Sequence, residues 1–183
     1  MPQKQRVTPE IILDRSFRLF RREGMDSINA RSIARETKCS TQPVFSCFAN
    51  LGLIKDELEL RAVQLFRDAI EPALGSGQTL LDGCCAYLRF AEADAKTFLH
   101  LFVQTHLGME VLFGADGLYP KLLEKTAEQE KLESDRAKEM TDAVCLYANG
   151  LAYILAAKTT DMSADEACRR LSAMLDVTRA RLA

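Results

Sequence analysis

Asn29–Phe48 reads NARSIARETKCSTQPVFSCF, and the fold turns on how this stretch is parsed. Asn29 is a good cap for a short helix that carries Ile33 and Ala34 on one side. Lys38 and Cys39 break the helical spacing and predict a turn. Ser40 then stands as the cap of another short helix, with Pro43 in its first turn, where no intrahelical N–H bond is lost. Val44, Phe45 and Phe48 supply the apolar side of that helix. Two short helices joined in this way have helix-turn-helix spacing.

Upstream, Thr8 predicts a helix start with Pro9 at its first position. Ile12, Leu13, Ser16, Phe17, Leu19 and Phe20 follow as a stripe of helical period, and Gly24 ends it. Downstream, an amphipathic segment from about Leu53 to Leu74 is broken by Gly75-Ser76-Gly77. Further helices are expected over Thr79–Ala93, from Lys96 towards His106, and from Leu118 to about Glu133, with a turn at Gly114–Gly117. No period-two segment calls for a sheet, so the expected class is all-α: a three-helix head joined to a helical body.

The last two helices stand apart. Between Asp135 and Lys158, Ala137, Met140, Val144, Ala148, Leu151 and Leu155 trace one stripe, which Tyr147, Tyr153 and Ile154 broaden until little polar surface remains beyond Asp142. Such a helix needs cover on more than one side. Ser163 followed by Glu166 predicts a capping box, and Cys168, Leu171, Leu175 and Thr178 share a face of the final helix. One body burying one face and a second subunit the other would satisfy both helices. Val144, Ala148, Leu151, Leu155, Leu171 and Leu175 are therefore the candidate dimerisation residues.

The net charge of −2 is unremarkable, but its distribution is not. Residues 1–50 hold nine Lys or Arg against five Asp or Glu, a surplus of four, so the remainder carries −6. A basic head on an acidic body suits a phosphate-binding element attached to a scaffold. The first residues lack the apolar core of a secretory signal, and no run is expected to reach the length of a membrane span. The six cysteines include no Cys-x-x-Cys pair and read as free thiols in a reducing cytoplasm.

The head resembles the TetR family of bacterial transcriptional regulators. The resemblance rests on Ile12-Leu13-Asp14, Ser16, Leu19-Phe20, Gly24, Arg31, Ile33-Ala34, Ser40, Val44, Phe45 and Phe48, and more loosely on Tyr147–Ala152 and the final helix pair. It implies a homodimer that binds double-stranded DNA at a roughly palindromic operator and represses transcription until a small organic effector occupies the body. In this scheme residues 1–50 are the DNA-binding domain and residues 51–183 the effector-binding and dimerisation domain. The chain departs from the family where Lys38 replaces the usual turn glycine and where Gln42-Pro43-Val44-Phe45 replaces a Gly-Thr-Leu-Tyr stretch. Leu51 stands where a lysine often opens the fourth helix.

Thr41 and Gln42 are the candidate base readers, because glutamine pairs with adenine in a bidentate geometry and a threonine methyl meets thymine. Ser46 fits base or phosphate, Phe45 fits the sugar–phosphate surface or the core, and Ser40 caps the helix with or without DNA. Arg31, Arg35 and Lys38 are candidates for backbone phosphate, and Lys4 and Arg6 for a short basic arm. His100, Gln104, His106 and Tyr147 are polar groups near apolar helices and are candidates for orienting the effector. Cys84, Cys85 and Cys145 fit either a cavity wall or ordinary core packing.

No cofactor or metal site is expected, since His100 and His106 do not stack on one helical face. No nucleophile–base constellation, phosphate loop or dinucleotide fingerprint is present to support an enzyme. Two other classes compete with the regulator: an all-helical enzyme without a recognisable motif, and a helical scaffold that has lost sequence-specific DNA binding.

Overall fold

The computed structural model describes residues 7–182, which are all-α without a strand. The chain divides into two compact units, Met1–Gln64 and Leu65–Ala183, and the division falls within one long helix. The expected boundary after residue 50 lies at the start of that helix.

In the first unit, α1 spans Pro9–Glu23, α2 Ala30–Thr37, α3 Thr41–Cys47, and α4 begins at Leu51 and runs to Ile70. Thr8 caps α1 by accepting the Ile11 N–H at 3.4 Å. Gly24 ends it at φ 92°, a conformation that strains any residue with a Cβ. Asn29 and Ser32 form a reciprocal capping box on α2: the Asn29 side chain accepts the Arg31 and Ser32 N–H groups, and Ser32 Oγ accepts the Asn29 N–H. The apolar faces meet in a core where Ile12, Leu19, Phe20, Ile33 and Val44 are wholly buried. Arg61 on α4 pairs with Asp14 on α1 at 2.7 Å.

The second unit contains α5 (Thr79–Ala93), α6 (Ala95–Leu99), α7 (Leu107–Phe113), α8 (Leu118–Glu130), α9 (Ser134–Ala157) and α10 (Ala164–Leu182). The helix expected from Lys96 to His106 is α6 followed by a π-helical turn over His100–Gln104. His106 then takes φ 64° and redirects the chain into α7. α5 is the central element, packed against α8, α9 and α10. Phe66, Tyr87, Phe90, Phe98 and Phe102 make an aromatic cluster with centroid separations of 4.8–6.0 Å, mostly edge to face. Gly117 shapes the turn before α8, since a Cβ there would lie 2.4 Å from the Leu112 carbonyl oxygen.

Two expectations about the last helices change. Val144, Ala148, Leu151, Leu155, Leu171 and Leu175 are at most 6% exposed, because α9 and α10 turn this stripe inward against α5 and each other. These side chains form the chain's own core and leave no surface for a second subunit. The outward faces carry Leu146, Tyr147 and Tyr153 on α9 and Val177 on α10. Only half of the predicted capping box forms: Ser163 Oγ accepts the Glu166 N–H at 3.3 Å, while Glu166 itself pairs with Arg169 and Arg170.

α9 also corrects the reading that no segment reaches membrane-span length. It has 24 residues, and its most apolar window has a mean hydropathy of 1.3, enough by length and composition to cross a bilayer. Within that window 44% is buried, as in the core helix of a folded domain.

Candidate nucleic-acid interface and ligand cavity

α2 and α3 form the anticipated pair, joined by a turn in which Lys38 adopts φ 53°, ψ 41°. The left-handed conformation costs a residue with a Cβ about 1–2 kcal/mol. It is held by the Lys38 N–H donating to Arg35 O at 3.2 Å and the Cys39 N–H donating to Ala34 O at 2.9 Å. Lysine therefore occupies the conformation that a glycine would take without cost. Ser40 sits at the cap position of α3, but its side chain makes no capping bond. Pro43, three residues on, has no N–H to offer the hydroxyl, and the other candidate donor, the Gln42 N–H, is not bonded to it.

α3 presents its opening edge outward. Gln42 and Ser46 are exposed, Thr41 is half-buried, and Phe45 is 52% exposed while Val44 beside it is fully buried. Phe45 is thus a surface ring, which separates the two roles its sequence position allowed. Ser46 Oγ donates back to the Gln42 carbonyl at 3.0 Å, so its hydroxyl proton is already committed. The Gln42 amide has no hydrogen-bond partner among the described residues.

Some cations of the first unit are committed to carboxylates and others are not. Arg22 is spent on Glu23 and Glu36, at 2.8 and 2.6 Å, and Arg61 on Asp14. Arg31, Arg35 and Lys38 are exposed and have no ion-pair partner among the described residues. Arg31 and Arg35, four apart on α2, share a face. The cations beside α3 are therefore free to meet phosphate, as are the exposed Arg15 and Arg18 on α1. Lys4 and Arg6 lie outside the described residues.

The second unit encloses a cavity of about 400 Å³, within the range of small-molecule sites. Its walls are mostly apolar, from Ile70 and Leu74 through Leu112 and Leu118 to Leu122. Gly83 keeps the α5 side open. The candidate ligand residues are elsewhere. His100 is buried beside Gln104, with Nδ1 and Oε1 3.0 Å apart; Gln104 and His106 face solvent, and Tyr147 lies on the outer face of α9. None of the four lines the cavity. Polarity alone singles them out in the sequence, whereas helical phase and the π turn decide which way each one points.

The polar groups that do line it are Tyr87, Tyr119, Asp142 and Asn149, with the thiols of Cys84 and Cys145. Tyr87 OH donates to Asn149 Oδ1 at 2.9 Å, and burial pushes its phenol well above the usual range. Tyr119 OH donates to Asp142 Oδ1, and Lys138 Nζ donates to Asp142 Oδ2 at 2.5 Å. Lys138 first, then Tyr119, holds the Asp142 carboxyl below its ordinary value, so it is ionised at neutral pH. Cys84 and Cys145 stand with sulfurs 4.0 Å apart, and their mutual contact together with burial raises the Cys84 thiol well above its usual range. Cys85 points away, towards Cys168, and burial pushes it up to about 12. Of the lining groups, Cys84 and Cys145 take the cavity-wall alternative that their sequence positions allow, and Asp142 is the polar exception on the α9 stripe.

No protein-family model matches the chain, and no curated protein matches it. Among solved structures it is similar to a TetR-like transcriptional regulator from Rhodococcus sp. RHA1. The TM-score is 0.66 at 18% identity, over 98% of each chain. The fold is TetR-like. In this fold α2 and α3 supply the helix-turn-helix, and α5, α7, α8 and α9 contribute most of the cavity wall. Among the described residues no group of three or more His, Cys, Asp or Glu is placed to hold a metal ion.

Proposed function

We propose that the protein is a dimeric, ligand-responsive transcriptional repressor of the TetR type, acting in the cytoplasm on a roughly palindromic operator. The observation that carries this reading is the outer edge of α3: Thr41, Gln42 and Phe45 stand outward, flanked by the unpaired cations Arg31, Arg35 and Lys38. A helix edge able to read bases, with uncommitted charges on its neighbour for phosphate, is the arrangement a major-groove reader needs. Thr41 and Gln42 read bases, Arg31, Arg35 and Lys38 hold the backbone, and Phe45 packs on sugar.

Dimerisation uses the outward faces of α9 and α10, where Tyr153 is 52% exposed and Val177 67% exposed. The cavity in the body receives an organic effector, and its occupancy lowers operator affinity by favouring a state that binds DNA less well.

The test is selection of genomic fragments by the purified protein, followed by binding measurements on the enriched duplex. A two-fold symmetric site bound tightly and with steep salt dependence supports the reading. A folded dimer that enriches no duplex would overturn it in favour of a helical scaffold.

A further inference from the structure

We infer that the body cavity selects lipophilic cations: an apolar tail lies within, and a positively charged head sits at the mouth beside Asp142, Tyr119 and Phe113. The inference rests on the reading of this cavity as the effector site and names the class of molecule it takes.

Three observations carry it. The cavity wall contains one charged residue, Asp142, and no Lys, Arg or His. An anionic head would meet a like charge with no base on the wall itself, since Lys138, the partner of Asp142, stands outside it, whereas a cation would meet a counter-charge. Second, the opening can be located from exposure. Met109, Phe113 and Leu146 line the cavity yet are 44%, 53% and 73% exposed, while Cys84, Tyr87 and Ala148 on the inner wall are at most 8% exposed. The Asp142 side chain is 39% exposed, which places it at the mouth with the first group. Third, the Phe113 and Tyr119 rings lie 5.1 Å apart at the same place, and Tyr119 donates its hydroxyl to Asp142. Two aromatic rings beside one carboxylate attract an ammonium or iminium through both ring quadrupole and charge. Lys138 pairs with Asp142 from outside, does not line the cavity, and has a 60% exposed side chain, so water screens it.

The test compares decylamine, decanol and decanoate below their micellar concentrations, by calorimetry on the full-length protein without DNA. The tails match and only the head differs. Decylamine should bind about five- to tenfold tighter than decanol, the range expected of a partly exposed charge and ring contact, and decanoate weakest. Asp142→Asn keeps an acceptor for Tyr119 and should bring the amine-to-alcohol ratio to about one. Met109→Lys adds a cation at an exposed position of the mouth on α7, away from the faces assigned to dimerisation, and should weaken the amine while favouring decanoate. Decanoate binding as tightly as decylamine, or an unchanged ratio in both variants, would overturn the inference. Anisotropy on the operator separates the two readings. Selective amine binding that leaves operator affinity unchanged supports the cavity chemistry and removes the effector role. A change in operator affinity driven by decanoate alone does the reverse.

Discussion

Replacing Gln42 with alanine isolates base reading from charge attraction. The Gln42 amide is exposed and has no partner among the described residues, and both residues are good helix formers. Nothing in the fold is broken, so the change in stability should stay within about 0.5 kcal/mol. At the operator, loss of a bidentate contact to adenine removes about 1–3 kcal/mol of discrimination, which is roughly a 5- to 150-fold loss on the specific duplex. Scrambled DNA should be bound almost as before. Arg35→Ala is the counterpart. Its guanidinium is equally uncommitted, so its removal also spares the fold, but it deletes one phosphate contact. The slope of log affinity against log salt should fall by about 0.9, so the mutational loss shrinks about 3.5-fold between 50 and 200 mM salt on either duplex. Fluorescence anisotropy across a salt series, on protein checked for fold and oligomeric state, reads both effects. Equal losses on operator and scrambled DNA for Gln42→Ala would refute the assignment of Gln42 to the bases.

Three further expectations follow from burial and charge. Tyr153→Glu and Val177→Glu should yield folded monomers by analytical ultracentrifugation, whereas Leu151→Glu should unfold the chain, because Leu151 is 6% exposed within one protomer; a dimeric double variant would place the interface elsewhere. The depressed Asp142 carboxyl contributes stability above its ordinary value of 3.8 that is lost as pH falls through its lower native value. Asp142→Asn should therefore lower the melting temperature at neutral pH, with the difference closing below about pH 4; a gap that persists or widens there would contradict the ion-pair account. Alkylation with iodoacetamide at pH 8, followed by peptide mass spectrometry, should modify the half-buried Cys39 and Cys47 before the buried Cys84 and Cys85, whose thiols are raised. Early modification of Cys84 would mean that the cavity opens more widely in solution.

Much of the fold was legible in the sequence because its signals are local. Thr8, Pro9 and Gly24 bound α1, and Asn29 opens α2, each through bonds or conformations formed within a few residues. The helical period of Ile12, Leu19 and Phe20 identified a buried face before any partner was known. Lys38 stands in the sequence at a turn where the resemblance places glycine, and it takes the left-handed conformation. Ser40 holds the cap position without a capping bond: Pro43 removes one of the two N–H groups such a hydroxyl accepts from, and the Gln42 N–H is not bonded to it.

Tertiary structure alone decided which of two surfaces each apolar helix buries and which polar groups converge. A stripe such as Val144–Leu151–Leu155 has the same period whether it meets its own chain or another, and packing against α5 and α10 assigns it to the core. His100 and His106 looked suited to a ligand because they are polar among apolar neighbours. The π turn over His100–Gln104 and the left-handed His106 direct them elsewhere. Tyr87 and Asn149, 62 residues apart, and Tyr119 and Asp142, 23 apart, meet only because α5, α8 and α9 pack side by side. Helical period sets which residues share a face, but the cavity belongs to the space between faces, and that space exists only once the helices have docked.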